Sequence, residues 1–192
     1  FFSWFALFSM WVFSTPAIAN HIYHVPLGDN ESATYQDAAN WVGIIFGVYN
    51  GVSALYAFLL PVIALKVGRK MTHALSLTAG GLGLISIYFV QDPAMLIISM
   101  IGVGMACASI LAMPYAILAG SIPSYKMVVY MGIFNFFITF PQIVNGLIGG
   151  PIVKYFYNSQ AIYSLVMAGV FLLIAAFCVG FVEDKDDVAK TI

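Results

Sequence analysis

Charged residues are scarce in this sequence. They make up 8% of its 192 residues, against roughly 25% in ordinary soluble domains, whereas hydrophobic residues make up 62% against about 45–50%. This composition excludes a water-soluble globular protein. The seven basic and eight acidic residues leave a net charge of −1, so neither a polybasic surface for nucleic acid nor an acidic tail is predicted.

Cysteine is also rare, with two residues in the chain. Cys107 and Cys178 lie in separate apolar runs, with no second thiol, histidine or carboxylate at the spacing of metal ligands. Both are expected to be small buried hydrophobic residues, and no metal or other cofactor is expected. No Ser/His or Cys/His pair within an apolar run suggests nucleophilic catalysis. The chain is therefore predicted not to be an enzyme.

The histidines leave one alternative open. His21 and His24 are three residues apart, with Asp29 and Glu31 nearby, and such groups can hold a metal ion. An integral membrane enzyme with a loop metal site is thus a second hypothesis. The third histidine, His73, begins an apolar run and is expected to be an interfacial residue rather than a base.

Six apolar stretches are each long enough to cross roughly 30 Å of hydrocarbon. An α-helix satisfies its own backbone in lipid, and the stretches are about twice as long as the strands of a membrane barrel. All six are therefore predicted to be transmembrane helices, and no Asp, Glu, Lys or Arg lies within them. They occupy residues 1–19, 41–65, 73–90, 93–119, 127–150 and 161–182.

The positions of the basic residues predict the orientation. Six of the seven lie on one side of the predicted spans, which the positive-inside rule makes cytoplasmic. Both chain ends then face the cytoplasm, residues 20–40 form an outer loop, and residues 183–192 form a solvated tail. The membrane is predicted to be the plasma membrane, or the inner membrane of a bacterium. The six residues are Lys66, Arg69, Lys70, Lys126, Lys185 and Lys190, and Lys154 lies opposite.

A short motif recurs in the second and fifth spans. Residues 47–50 read Gly-Val-Tyr-Asn, and residues 132–135 read Gly-Ile-Phe-Asn. If three helices repeat, the second copy enters from the opposite face, which is the inverted repeat of larger transporter folds. Asn50 and Asn135 would then lie about 12–14 Å inside their spans, near the midplane. A match of four common membrane residues also arises by chance.

Asn50 is expected to face the bundle interior or a substrate, because an unpaired amide in hydrocarbon costs several kcal/mol. Gly43, Gly47 and Gly51 form a ridge of small residues around it. Such a ridge lets a neighbouring helix approach closely, and packing is the role predicted for these glycines.

Polar side chains recur along one face of the fifth span. Asn135, Thr139, Gln142 and Asn145 follow one another by four, three and three residues. A stripe of this length is untenable against lipid. It either lines a cavity for a neutral hydroxylated ligand or forms interhelical hydrogen bonds, worth about 0.6 kcal/mol each in one membrane protein. A membrane scaffold would explain the glycines but not this stripe.

An aromatic stripe in the first span is a second candidate surface for such a ligand. Trp4, Phe8 and Trp11 recur at four and three residues, and aromatic faces stack against the C–H faces of sugar rings. Helix packing or lipid contact is the alternative explanation. The candidate substrate-binding residues are Asn135, Gln142, Asn50, Thr139, Trp11, Phe8, Tyr49 and Tyr115.

Two motifs resemble those of the major facilitator superfamily. Residues 66–70, Lys-Val-Gly-Arg-Lys, resemble the basic end of that superfamily's cytoplasmic loop signature, although Leu65 replaces the usual acid. Residues 113–118, Met-Pro-Tyr-Ala-Ile-Leu, and residues 122–135 are similar to the tenth and eleventh helices of the sucrose and maltose proton symporters. The resemblance covers the whole chain but only six of that family's twelve helices.

The resemblance implies an all-α membrane protein in which residues 1–182 form the carboxyl-terminal half of a twelve-helix fold, with an inverted three-plus-three helix repeat. Such carriers bind a neutral glucoside between two halves and couple its movement to a cation. The implied function is secondary transport of a sugar such as maltose or sucrose, and a carrier for another small solute stays open. The implied partners are the lipid bilayer, a proton or other cation, and an amino-terminal half, and not nucleic acid.

The sequence adds one constraint of its own. The predicted spans contain no acidic residue, so this half cannot supply an intramembrane carboxylate that titrates during transport. The coupling acid is therefore expected in the other half. The first residue, Phe1, already lies within an apolar run, which predicts a fragment of a longer protein.

Overall fold

A computed structural model of the chain describes residues 1–184. In that part the fold is all α, without a strand, and six helices are long and apolar enough to cross a membrane. The prediction of an all-helical membrane protein with six spans is confirmed. The helices are α1 (Phe2–His21), α2 (Ala33–Val67), α3 (Arg69–Ser86), α4 (Leu96–Ser121), α5 (Met127–Pro151) and α6 (Ile162–Val179).

Short helical turns extend three of these helices. Ile87–Phe89 continues α3 as a 3-10 turn, and Pro93–Met95 leads into α4. Ser124–Lys126 leads into α5, which a π-helical turn, Ile152–Phe156, then prolongs. The connections between the helices are therefore short and partly helical.

Helix α2 begins eight residues before the predicted second span. The Ser32 side chain accepts a hydrogen bond from the backbone N–H of Tyr35 at 3.2 Å, and the Asp29 carboxylate accepts one from the N–H of Ser32 at 3.1 Å. These contacts cap a helix of 35 residues. The predicted outer loop is wrong in its bounds, because only residues 22–32 are irregular. The polar first turns of α2 hid its start from a search for apolar runs.

The core is built by α1, α3, α4 and α6. Helix α3 packs along both α4 and α6, and α6 packs along α1. Where α3 crosses α6, a Cβ built on Gly81 would lie 2.8 Å from the carbonyl oxygen of Gly169, and one built on Gly169 would lie 2.7 Å from that of Gly81. Only glycine permits this approach of the two backbones.

The helix contacts follow a two-fold pattern that exchanges the first three helices with the last three. Helix α3 packs on α4 as α6 packs on α1, and α2 packs on α4 as α5 packs on α1. The pattern supports the predicted inverted repeat. Asn50 lies seventeen residues from either end of α2, whereas Asn135 lies eight residues into α5, so a matching depth stays a prediction.

Helix α5 lies outside this core, and α2 enters it through Val42, Ile45 and Tyr49. Only three of the 25 residues of α5 are buried. Helix α2 meets α4 at its middle, where a Cβ built on Gly104 would lie 2.6 Å from the carbonyl oxygen of Tyr49. Nothing lies within 4 Å of a Cβ built on Gly43, Gly47 or Gly51. No helix of the described residues packs on this ridge, because α2 turns it away from the core, so the prediction that the ridge packs on a helix stays a prediction.

The two cysteines have different environments. Cys107 is buried, whereas Cys178 is exposed near the end of α6. The prediction of two buried thiols is wrong for Cys178, because it lies near the end of α6, where it borders an open cavity. Ile174 and Phe181, one turn before and one turn after it, are exposed as well.

Lys66, Arg69 and Lys70 cluster where α2 meets α3, and we call this end of the bundle the basic end. Gly68 turns the chain there with a φ of 87°, which side chains other than glycine rarely adopt. Arg69 forms an ion pair with Asp184, in which Nε donates to the carboxylate at 2.9 Å and Nη2 donates a second bond. Arg69 also donates through Nη1 to the carbonyl of Ala116 on α4, at 3.2 Å.

This ion pair corrects the prediction of a solvated tail after α6. Asp184 is only 4% exposed, because its carboxylate is held by Arg69. The signature-like loop lacks an acid at Leu65, and Asp184, from the segment that follows α6, supplies one to Arg69. Residues 185–192, the rest of the predicted tail, lie outside the described residues.

Candidate functional site

Side-chain hydrogen bonds between neighbouring helices join four of the candidate residues in two pairs. Trp11 on α1 donates through Nε1 to the hydroxyl of Tyr49 on α2, at 2.9 Å. Tyr115 on α4 donates through its hydroxyl to Oδ1 of Asn135 on α5, at 3.0 Å. The structure therefore brings together residues that lie 38 and 20 positions apart in the chain.

The two pairs occupy corresponding places in the helix arrangement. Tyr49 belongs to the motif at 47–50 and Asn135 to the motif at 132–135, and the partner of each lies on the helix that precedes it. The Tyr115 ring also packs edge to face on Phe134, with ring centroids 4.9 Å apart. In both triplets of helices, an aromatic side chain of the first helix is hydrogen-bonded to the recurrent motif of the second.

Two of the polar residues on α5 bond within their own helix. Thr139 donates through Oγ1 to the carbonyl of Asn135 at 3.2 Å, and Gln142 donates through Nε2 to the carbonyl of Ile138 at 3.1 Å. Thr139 is exposed and Gln142 is half-buried. Each side chain keeps hydrogen-bonding capacity beyond that one bond.

Asn145 differs from the other members of the α5 stripe. It is 1% exposed, and its Nδ2 donates to the carbonyl of Phe5 at 3.3 Å and to Oγ of Ser9, both on α1. Interhelical bonding, rather than cavity lining, therefore describes this residue. Its Oδ1 is buried without a hydrogen-bond partner among the described residues.

Asn50 is exposed, and its Nδ2 donates to the carbonyl of Phe46 at 2.8 Å. The first alternative, that Asn50 faces the interior of the bundle, is therefore wrong for the described residues. The second alternative, contact with a substrate, stays a prediction. Trp11 is 38% exposed, and Phe8 is half-buried where α1 meets α5. A Cβ built on Gly146 of α5 would lie 4.0 Å from the Phe8 ring.

Sequence analysis missed a set of buried polar contacts along α3. Nδ1 of His73 lies 2.8 Å from Oγ of Ser109 on α4, and the hydroxyl of Tyr56 lies 3.0 Å from Oγ of Ser76. His73 lies in the first turns of α3 at the basic end, so its place near the interface stays a prediction, but it is only 6% exposed and packs between helices. The available signal was the spacing of Thr72 and Ser76, which places polar groups on one face of α3.

The two histidines at the other end of α1, His21 and His24, line one cavity but belong to no metal-binding group among the described residues. Nε2 of His21 lies 2.8 Å from the carbonyl oxygen of Tyr88, and the two rings stack with centroids 5.4 Å apart. Within residues 1–184, no three His, Cys, Asp or Glu side chains form a group that could hold a metal ion. The structure therefore adds no support to the hypothesis of an enzyme with a loop metal site.

Comparison with known proteins gives one family. The family model described as Major Facilitator Superfamily matches residues 1–191, which is nearly the whole chain. No significant match is found among curated proteins or among solved structures. Six membrane-length helices agree with the family match, and the superfamily consists of transporters that move small molecules across membranes. The chain therefore belongs to the major facilitator superfamily and is an integral membrane transport protein.

Proposed function

We propose that the chain is the carboxyl-terminal half of a twelve-helix secondary carrier for a neutral sugar, a disaccharide such as maltose or sucrose. The observation that carries this proposal is the pair of hydrogen bonds Trp11–Tyr49 and Tyr115–Asn135. Each sets an aromatic face beside a polar group, and this combination suits a hydroxylated ring that has apolar C–H faces. The resemblance of residues 113–118 to the sucrose and maltose proton symporters points to the same class.

The neutral character of the substrate is supported by the side chains near these pairs. Asn50, Asn135, Thr139 and Gln142 are uncharged and can each form further hydrogen bonds. A charged solute in a low-dielectric site needs a counter-charge. The charged side chains of α2, Asp37 and Lys66, lie at least thirteen residues from Asn50, and α5 itself contains no charged residue.

A second half of the protein would cover the surfaces that this half leaves open. The ridge of Gly43, Gly47 and Gly51 is exposed on α2, and most of α5 is exposed as well. Small residues permit close approach of a helix, so we assign this ridge to contact with the amino-terminal half. The sugar would then bind between the halves, against Trp11, Phe8 and the α5 amides.

Coupling to a proton or another cation is assigned to the amino-terminal half. The acidic residues of the described chain lie in connections or near helix ends: Asp29, Glu31, Asp37, Asp92, Glu183 and Asp184. Under the positive-inside rule the basic end faces the cytoplasm, and both ends of the chain lie there. We place the carrier in the plasma membrane.

The test is transport by the intact protein in sealed proteoliposomes. We expect saturable maltose uptake that sucrose inhibits and that a neutral amino acid at the same concentration does not. A protonophore should abolish accumulation but leave exchange of internal for external sugar intact. Val128→Ala, a change at a highly exposed position of α5, serves as the control variant. Saturable uptake of a charged solute, with no effect of either sugar, would overturn the proposal in favour of a carrier for another substrate.

A further inference from the structure

His73 has a buried imidazole ring, and only one of its two ring nitrogens has a hydrogen-bond partner among the described residues. It lies four residues into α3, is 6% exposed, and its Nδ1 contacts Oγ of Ser109 at 2.8 Å. Within residues 1–184 the ring makes no other hydrogen bond. Among the described residues, the buried side-chain atom that lacks a hydrogen-bond partner is Oδ1 of Asn145 and not Nε2 of His73. Nε2 is therefore accessible from the adjoining space and can form a hydrogen bond with a group that enters it.

The ring lines two adjoining cavities. One, of about 370 Å³, lies between α3, α4, α5 and α6 and is bordered at the basic end by Ser121 and Glu183. The other, of about 220 Å³, also reaches the start of α1 and is bordered by Trp4, Leu77 and Ile138. The two share His73, Pro114, Phe134, Val179 and Val182.

The walls of the larger cavity are mostly apolar. Ile117, Leu118 and Phe134 contribute hydrocarbon, and the Ser121 hydroxyl already donates to the carbonyl of Ile117 at 3.0 Å. A buried water needs two to four polar partners, whereas a dry apolar cavity of about 150 Å³ holds benzene. This cavity is more than twice that size, so its chemistry suits an apolar guest with a single polar group.

The charges near the cavity favour a neutral polar group. Arg69 is paired with Asp184, and Lys70 donates to the carbonyl of Gly180 at 3.1 Å. The remaining carboxylate on the wall, Glu183, disfavours an anionic guest. Burying a charged group of either sign against hydrocarbon costs more than burying a hydroxyl that finds a partner.

The order of these groups along α3 matches that of a lipid in a bilayer. His73 lies about 6 Å along the helix from Arg69 at the basic end, and Leu77 lies about 12 Å from it. The imidazole is thus near the membrane surface, and the apolar walls continue towards the middle of the membrane. We infer that this cavity binds a neutral single-chain amphiphile of the membrane, such as a monoacylglycerol, with a head hydroxyl on Nε2 of His73.

The test is equilibrium binding to the intact protein in a non-ionic detergent. Tritiated monooleoylglycerol, oleate and oleylamine have the same chain and differ in the head group. We expect saturable binding of monooleoylglycerol at least tenfold tighter than that of either charged compound. His73→Leu should remove this tenfold preference, and His73→Gln should retain part of it because an amide can bond to both Ser109 and the head group.

Two further variants separate specific binding from general effects. Leu118→Trp, which fills the larger cavity, should weaken binding at least tenfold, whereas His24→Leu, at an exposed histidine of the other end, should leave it unchanged. If the His73 variants do not fold, the Leu118 variant decides the question. Equal affinity for the three compounds, or unchanged affinity in both His73→Leu and Leu118→Trp, would overturn the inference. Sugar transport is measured separately, so its failure would not bear on this site.

Discussion

The hydroxyl of Tyr115 on α4 donates to the side-chain oxygen of Asn135 on α5, and this bond orients an amide whose nitrogen stays available. Asn135 is exposed, so its nitrogen can donate to a ligand without displacing Tyr115. The pair therefore positions one member of the proposed sugar site through its neighbour on the preceding helix.

Asn135→Leu and Gln142→Leu should each weaken sugar binding by the intact protein about 5- to 150-fold. Removing one partner of a buried hydrogen bond costs roughly 1–3 kcal/mol, which corresponds to that range. Binding is measured by isothermal calorimetry, with Ile143→Ala as the control because its side chain is exposed on α5. Tyr115→Phe should give a smaller loss, since it only releases the amide. Unchanged affinity in both leucine variants would show that these residues do not contact the sugar.

The recurrent asparagines can be tested for a shared site by a double-mutant cycle. If Asn50 and Asn135 approach one cavity, the effects of Asn50→Ala and Asn135→Ala on sugar binding should depart from additivity by about 0.5–3 kcal/mol. Independent sites add within roughly 0.3–0.5 kcal/mol. A cycle that closes within that margin would indicate that the Gly-x-aromatic-Asn match has no functional meaning.

The Arg69–Asp184 ion pair should stabilise the basic end. Asp184→Asn removes the carboxylate charge that pairs with Arg69, and breaking a buried pair costs about 3–5 kcal/mol. We expect a clear fall in the midpoint of thermal unfolding, followed by light scattering of the purified protein. Glu183→Gln, at the exposed neighbouring position, should change the midpoint little. Equal midpoints for the two variants would mean that the ion pair contributes nothing to stability.

Replacement of a glycine by alanine should have opposite effects on stability in α3 and in α2. In Gly81→Ala the new Cβ would lie 2.8 Å from the carbonyl oxygen of Gly169, so the variant should lose about 1–3 kcal/mol of stability. In Gly47→Ala the Cβ meets open space within this chain, so in the chain alone, without the amino-terminal half that the ridge is proposed to contact, stability should rise by up to about 1 kcal/mol because alanine favours the helix. The midpoints of thermal unfolding of the two variants are compared. A lower midpoint for Gly47→Ala together with an unchanged midpoint for Gly81→Ala would contradict the described packing.

Topology can be read from single cysteines in intact cells, after replacement of Cys107 and the exposed Cys178. Cysteines at Ser32 and Asn158 should react with an impermeant maleimide from outside. One at Lys126, at the basic end, should react only after permeabilisation. The reverse pattern would invert the proposed orientation.

The spans could be predicted because apolar run length is a local property, but helix ends and packing faces could not. The start of α2 depends on the Ser32 cap and on polar turns that carry no hydrophobic signal. The ridge around Gly47 and the glycines at Gly81 and Gly169 look alike in sequence, yet only the latter two meet another backbone. Which face of a helix is covered depends on its neighbours, and spacing within one helix does not contain that information.

The same limit applies to the candidate site. The spacing correctly placed Asn135, Gln142 and Asn145 on one helix. The hydrogen-bond partner of each of these amides, however, lies on another helix or in the backbone of α5 itself. The Tyr115–Asn135 bond joins residues on two helices, so no periodicity within one helix indicates it. His73 was assigned to the interface from its place at the start of an apolar run, whereas the neighbouring α4 buries it.

Helix α2 has 35 residues and therefore measures about 52 Å, well over the roughly 30 Å of a hydrocarbon core. The excess is about 22 Å, which at 1.5 Å per residue corresponds to roughly fifteen residues of α2. Contacts with α4 follow the helix from Trp41, whose Nε1 donates to the carbonyl of Pro93, to Leu60 and Ala64, which pack against Ala108 and Met113. A helix that exceeds the hydrocarbon core either tilts or projects from it, and the polar first turns of α2 suit projection at the end opposite the basic end. The surface of the protein at that end therefore includes helical turns of α2 as well as the loop that precedes them.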